Sequence, residues 1–321
     1  MSEHNEQTVL LADIGGTHIR FALYDGHEMG QIGIFRHEGE DSFDTAYRAF
    51  LSSDLPRPAS MIIGAAGVVQ DGQVRFSNRP LSLSETGLKE RYELAFCRIV
   101  NDFELQAYAT TALEKGDCFM LNKGVFDPQG TRCIIGPGTG LGVCFLTCDG
   151  IRLTAHPSEA GHATLPILSQ DWEINTQITH YLISRFKRVS VERLLSGQGL
   201  LNIASALNNG QQIFDTPEAV FSGAVQGNLL ARQVFDVFFK YLGIFCADMA
   251  LTMKTTGGIY LTGDLLRQKQ MIDWMQHSEF MNYFKNVGRF KDFTYNIPVH
   301  LVQVPQTAFL GLKYLADHII F

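Results

Sequence analysis

Asp13-Ile14-Gly15-Gly16-Thr17 and Gly136-Pro137-Gly138-Thr139-Gly140-Leu141-Gly142 decide the fold. Each glycine-threonine loop follows a short apolar run, Val9 to Ala12 in the first case and Cys133 to Ile135 in the second. Each leads into another, Ile19 to Tyr24 and Val143 to Thr147. The pattern reads as strand, tight turn, strand, twice over. Glycine at such a turn lets backbone N–H groups converge on an anion with no Cβ in the way. Two hairpins of this kind facing each other across a cleft can hold one polyphosphate between two domains. The first expectation is therefore an enzyme that transfers phosphate.

At 321 residues the chain is long for one core, and two domains are expected. A formal charge of −7 offers no electrostatic footprint for nucleic acid. The short cluster Arg185-Phe186-Lys187-Arg188 reads as a solvated helix end. The polar stretch Met1 to Thr8 precedes an apolar run too short for the core of a signal peptide. The longest apolar segment, Leu229 to Met253, carries Arg232, Asp236, Lys240 and Asp248, so it reads as a buried amphipathic helix and no membrane span is expected. Six cysteines form no CxxC pair and read as reduced, mostly core residues of a cytoplasmic protein.

Outward from the first loop, residues 8–35 predict a strand meander with a turn at Asp25-Gly26. A helix over 43–51, strands over 61–67 and 73–76, a helix over 84–91, a strand over 96–100 and a helix over 103–113 follow. The pattern restarts with strands at 133–147 and 152–155. Helices are expected over 171–186, 191–207, 216–225 and 229–253. A strand at 259–261 leads to Thr262-Gly263-Asp264, which opens another helix; 298–304 is a late strand and 307–320 a final helix. This is α/β organisation with a boundary near residue 113 and a last helix that returns to the first domain.

Asn101-Asp102 sits at the C-terminal end of a predicted strand, the edge at which ligands bind open α/β sheets. An aspartate there can take the proton of a hydroxyl that attacks phosphorus; the alternative is an N-cap for the following helix. Glu159 and His162, in Ser158-Glu159-Ala160-Gly161-His162, suit hydrogen bonding to neighbouring sugar hydroxyls, or form a solvated loop. Their spacing also suits a metal, but no second His or Cys cluster lies nearby, which argues against zinc. Glu192 begins a predicted helix, where an acid complements the dipole whatever else it does. No G-x-x-x-x-G-K-[ST], G-x-G-x-x-G or G-x-S-x-G pattern is present.

Taken together, Asp13 to Thr17, Asn101-Asp102-Phe103, Gly136 to Gly142, Glu159-Ala160-Gly161-His162, Val189-Ser190-Val191-Glu192-Arg193-Leu194-Leu195-Ser196-Gly197 and the late Gly288-Arg289-Phe290 resemble, in order and spacing, the bacterial ATP-dependent glucokinases. The resemblance runs from about residue 8 to 317. It implies a two-domain actin-like ATPase (ribonuclease H-like) fold with a cleft between a smaller domain, 1–113 joined by the helix 305–321, and a larger one, 114–304. It implies transfer of the ATP γ-phosphoryl group to the 6-hydroxyl of glucose in a cytoplasmic homodimer. Asp102 would be the general base. Asn101, Glu159, His162 and Glu192 would bind the sugar. Gly15, Gly16, Thr17, Gly138, Thr139, Gly140 and Gly263 would hold ATP, and Asp13 would position Mg²⁺ through water.

Three positions depart from the family pattern. Asp264 stands where a second glycine usually lies beside the adenosine; it either crowds the nucleotide or caps the next helix. Ala160 replaces a common glycine. Pro305-Gln306-Thr307-Ala308 replaces a glycine-rich stretch. Kinases for another hexose or an amino sugar, and a non-catalytic sugar sensor, are the competing expectations. The cysteine-rich zinc motif of the related ROK kinases is absent, since no cysteine follows His162 before Cys246.

Overall fold

The computed structural model describes residues 8–37, 39, 41–51, 55–76, 81–168 and 171–321. The polar stretch at residues 1–7 lies outside them. The elements, in chain order, are β1 (Val9–Ile14), β2 (His18–Tyr24), β3 (Gly33–Arg36), α1 (Ser42–Phe50), β4 (Ser60–Ala65), β5 (Val68–Gln70), β6 (Gln73–Arg75), β7 (Ser82–Ser84), α2 (Glu85–Tyr92), β8 (Phe96–Asn101) and α3 (Asp102–Ala109). They continue with β9 (Cys118–Asn122), β10 (Arg132–Pro137), β11 (Leu141–Cys148), β12 (Leu153–Ser158), α4 (Trp172–Arg185), α5 (Gly197–Leu207), α6 (Pro217–Val225) and α7 (Leu229–Met253). The last are β13 (Ile259–Leu261), α8 (Lys269–His277), α9 (Phe280–Lys285), α10 (Lys291–Tyr295), β14 (Val299–Val302) and α11 (Thr307–Ile319). The chain divides into two compact units, Met1–Leu113 with Pro305–Phe321, and Glu114–Val304.

The first unit is built on a sheet of order β3-β2-β1-β4-β8. β1 runs antiparallel to β2 and parallel to β4, which runs parallel to β8. The unbroken apolar run of β1 follows from burial on both faces. Leu10, Ala12 and Ile14 join a cluster with Phe43 of α1 and Leu88 of α2. Val9 and Leu11, which alternate with them, meet Leu105 of α3 and Phe309, Leu312 and Leu315 of α11. The C-terminal helix thus completes the core of the first unit.

Helix α3 is wedged between two glycines. A Cβ at Gly64 of β4 would lie 2.1 Å from Leu105 Cδ1, and one at Gly311 of α11 would lie 2.1 Å from the Leu105 carbonyl oxygen. Thr307 at the start of α11 is buried and donates its hydroxyl to Gln106 of α3. Gln306 enters that helix at φ 56°, the left-handed region a glycine adopts freely.

The second unit repeats the strand order β12-β11-β10-β13-β14, with β9 added antiparallel at the edge. Register follows the first unit's plan: β10 is antiparallel to β11 and parallel to β13, and β13 is parallel to β14. Helix α7, capped by Asn228 through the Ala231 N–H, runs through the core with Phe235, Phe238, Phe239, Leu242 and Phe245 buried. Among the described residues no helix is long and apolar enough to cross a membrane.

Three expectations need correction. The helix expected over 191–207 is broken: Val191–Arg193 is a single 3₁₀ turn, and α5 starts afresh at Gly197 because the Ser196 hydroxyl caps the Gly199 N–H at 3.0 Å. The helix expected from Asp264 begins at Lys269, after a turn closed by Arg267 N–H to Gly263 O. The helix expected to reach residue 113 ends at Ala109, where the Thr110 and Thr111 hydroxyls bond to carbonyls three residues back. Strand β9 and helices α9 and α10 went unread, being short.

Gly311→Ala tests the wedge. On an exposed helix this change adds up to about 1 kcal/mol of stability. Here the new methyl meets backbone, so we expect a net loss of about 1–3 kcal/mol by chemical denaturation.

Candidate active site

The functional side chains of the first unit lie at the C-terminal ends of β1 and β8. The turn after β1 is held by Gly15 N–H to His18 O at 2.9 Å. Asp13, directly opposite Arg20 across the ladder, accepts from its guanidinium at 2.9 Å. Burial raises the Asp13 carboxyl above its usual range, and Arg20 opposes the rise. Gly15 and Gly16 do not have positive φ, and a Cβ at Gly16 would have no neighbour within 4 Å. The backbone does not demand glycine at Gly16; glycine leaves that side of the turn uncovered.

At the end of β8, Asn101 caps α3 and Asp102 is the first helical residue. Asn101 Oδ1 accepts the Phe103 N–H at 2.9 Å, Glu104 Oε1 accepts the Asn101 N–H at 3.2 Å, and Asn101 Nδ2 donates to Gly67 O at 2.9 Å. This capping box was legible in Asn-x-x-Glu. It corrects the reading of Asp102 as the cap: Asn101 takes that task, and Asp102 Oδ1 accepts the adjacent Phe103 N–H, at 3.0 Å. Burial pushes the Asp102 carboxyl up to about 7, and the nearby Asp13 charge adds to the rise. A carboxylate with that affinity for protons is matched to general-base work near neutral pH.

The site residues of the second unit converge on Leu141. The turn between β10 and β11 is Gly138-Thr139-Gly140, closed by Gly138 N–H to Gly140 O at 2.8 Å. Glu192 Oε2 accepts the Leu141 N–H at 2.9 Å. A Cβ at Gly140 would stand 2.7 Å from that oxygen, and one at Gly161 would stand 2.2 Å from the Leu141 carbonyl. The loops bearing these residues are zipped together by Leu165 N–H to Val189 O and Val191 N–H to Ala163 O. His162 lies between two acids, its Nε2 3.7 Å from Glu159 Oε2 and its Nδ1 4.0 Å from Glu192 Oε1. Glu159 and His162 are largely exposed, whereas Glu192 is mostly covered. The start of α5 is tied to the same turn by Gly197 N–H to Gly138 O at 2.8 Å.

Gly138, like Gly16, would meet nothing within 4 Å if it carried a Cβ. Gly263 differs: its φ is 120° and a Cβ would sit 2.7 Å from Pro137 O, so the packing of β13 against β10 already demands glycine there. Asp264 caps no helix; its exposed carboxylate is paired with Arg267. The residues that sequence reading missed are Arg20, Glu104 and Gly67, all of which hold the site residues. Among the described residues no three His, Cys, Asp or Glu side chains converge as a metal cage. Mg²⁺ needs no such cage, because one or two carboxylates suffice when phosphates and water fill the rest of its shell. Asp13, a largely buried carboxylate near the end of β1, fits that role.

Two sheets of the same strand order, each opening on a glycine turn, give the actin-like ATPase fold, and the family matches that follow make the chain an ATP-dependent sugar kinase. The Glucokinase family profile matches residues 10–319. A glucokinase of Chromohalobacter salexigens is 32% identical over 310 residues, covering 94% of this chain and 95% of that protein. Among solved structures, a glucokinase from an Antarctic psychrotroph superposes with TM-score 0.85 at 24% identity, covering 97% of this chain and 99% of the other. A glucokinase from Balamuthia mandrillaris, solved in complex with glucose, gives 0.80 at 18% identity, covering 99% and 95%. The chain belongs to the glucokinase family.

The raised Asp102 carboxyl predicts a stability signature independent of catalysis. The folded state keeps its proton to about pH 7, whereas an unfolded aspartate loses it near 4. Between those values the native state binds more protons, so this group's contribution falls as pH rises from about 4 to about 7 and stays low above. Asp102→Asn removes the penalty. It should stabilise the protein by about 1–3 kcal/mol at pH 8 and change little at pH 4, as read by denaturation at both values.

Proposed function

We propose that this chain transfers the γ-phosphoryl group of ATP to the 6-hydroxyl of glucose, with Asp102 as the general base. The observation that carries the assignment is the division of labour at the start of α3. Asn101 caps the helix, and Asp102 keeps a carboxylate whose proton affinity is raised to about 7. Deprotonation of the sugar hydroxyl as it attacks phosphorus needs a base of that strength. Asn101, Glu159, His162 and Glu192 form the sugar-binding set. A neutral, strongly hydrated sugar is bound by paired polar groups, and each one left unpaired costs roughly 1–3 kcal/mol.

The turns at Gly15-Gly16-Thr17 and Gly138-Thr139-Gly140 hold the nucleotide phosphates. The open space beside Gly16 and Gly138 supports this, since no described residue lies within 4 Å of a Cβ built at either place. Asp13 would hold Mg²⁺, which would offset phosphate charge. The pairing of Asp264 with Arg267 blunts its charge, which favours a working nucleotide site. We read the unit Met1–Leu113 with Pro305–Phe321 as the small domain and Glu114–Val304 as the large one. The family resemblance extends the proposal to a cytoplasmic homodimer with no nucleic-acid or membrane partner.

The direct test is glucose 6-phosphate formation with Mg-ATP, run beside fructose, mannose, N-acetylglucosamine and N-acetylmannosamine. Glucose-selective turnover is expected; turnover confined to another sugar, or none in folded protein, overturns the proposal. Asp102→Asn should lower kcat by roughly 10²–10⁴ while sugar still binds. The wild-type kcat/KM should rise with pH through an apparent pKa near 7, because the free base is the active form.

The two glycines of the second turn should separate. Gly138→Ala should raise the KM for ATP with stability unchanged or slightly higher. Gly140→Ala displaces the Glu192 carboxylate, so it should raise the KM for glucose more than that for ATP. Steady-state kinetics varying each substrate in turn distinguish the two outcomes.

A further inference from the structure

We infer that His37, outside every motif discussed above, is a positioning residue for the first phosphate turn. The inference rests on reading Gly15-Gly16-Thr17 as that turn. His37 directly follows β3, one residue past the Arg36–His18 pair, and is only 1% exposed. It holds the turn at two points. Its backbone N–H donates to Thr17 O at 2.9 Å, and its ring Nδ1 lies 2.9 Å from Gly15 O. A carbonyl oxygen only accepts, so Nδ1 carries the hydrogen and the ring is the donor.

The remaining ring nitrogen, Nε2, is buried and has no hydrogen-bond partner among the described residues. The ring stands edge-on to Phe76, with centroids 5.6 Å apart. Burying an imidazole with one nitrogen unserved is unfavourable in itself. The feature that explains it is the bond to Gly15 O. In a trans peptide the C=O and the following N–H point in opposite directions. By drawing the Gly15 carbonyl inward, His37 sets the plane of the Gly15–Gly16 peptide, on the stretch where a Cβ at Gly16 would meet nothing within 4 Å. A phosphate-binding turn depends on the orientation of its peptide planes, because preoriented dipoles need no rearrangement when charge arrives.

Asparagine and glutamine discriminate this role from simple filling of space. The side-chain nitrogen of asparagine falls near the place of Nδ1, and that of glutamine near the place of Nε2. His37→Asn should hold the KM for ATP within about twofold, and His37→Gln should raise it roughly tenfold, the equivalent of one lost hydrogen bond. The KM for glucose should stay within about twofold in both. Equal effects of the two variants on ATP, or equal effects on both substrates, overturn the inference. Gly16→Val separates this from the underlying reading. If it leaves ATP kinetics unchanged, the turn is not a phosphate site; if it impairs them while the His37 variants behave alike, only the role of His37 fails. Should either His37 variant not fold, the wild-type protein decides. The His37 Nδ1–H resonance should shift on addition of a non-hydrolysable ATP analogue and not on addition of glucose, and no shift with the analogue refutes the role.

Discussion

The chain reverses direction within three residues at Gly15–Thr17 and again at Gly138–Gly140, and the rest of the architecture depends on those two reversals. Each is closed by a short backbone bond, Gly15 N–H to His18 O and Gly138 N–H to Gly140 O. Each fixes the register of a hairpin whose first strand is also the parallel partner of the next strand inward. A slip of one residue would turn every side chain of β1 to the wrong face, and both faces of that strand are buried. The turns are therefore pinned by the core behind them, which is what allows their outer side to be bare backbone.

A second constraint acts through helix α3. Close packing at Gly64 and Gly311 leaves the Leu105 turn no room to shift, so the first residue of the helix is held where β8 ends. That residue is a carboxylate in a poorly solvated place, made worse by a second carboxylate at Asp13. The arrangement is unfavourable for folding at neutral pH and favourable for accepting a proton, the usual conflict between stability and activity at a working site. In the second unit Glu192 meets a similar demand differently. One of its oxygens is committed to the Leu141 N–H and the other remains toward His162, so a single side chain joins the glycine turn to the acid–histidine group.

Much of this was legible in the chain. The two hairpins, the long helix Leu229–Met253 and the closing helix followed from their apolar runs. Other features were not legible, for identifiable reasons. Serine at 196 caps a helix whose first residue, Gly197, donates to Gly138 O, a contact between segments far apart in sequence. Gly138, Gly140 and Gly263 look alike in sequence, yet they answer to open space, to a glutamate oxygen and to a neighbouring carbonyl respectively. Asp264 looked like a cap or an obstruction and is the partner of Arg267.

The sequence by itself determined the periodicity, the glycine turns and the order of the chemical groups, because those depend on local backbone preference and on which residues can be buried. It was enough to place the chain among ATP-dependent glucokinases. Only the tertiary structure decided what each group has left to offer: that Asn101 is spent on capping while Asp102 is not, that Glu192 divides its two oxygens, and that His37 grips a turn it follows by twenty residues. Those outcomes depend on desolvation and on hydrogen bonds between distant segments. Both arise only once the core has brought the segments together.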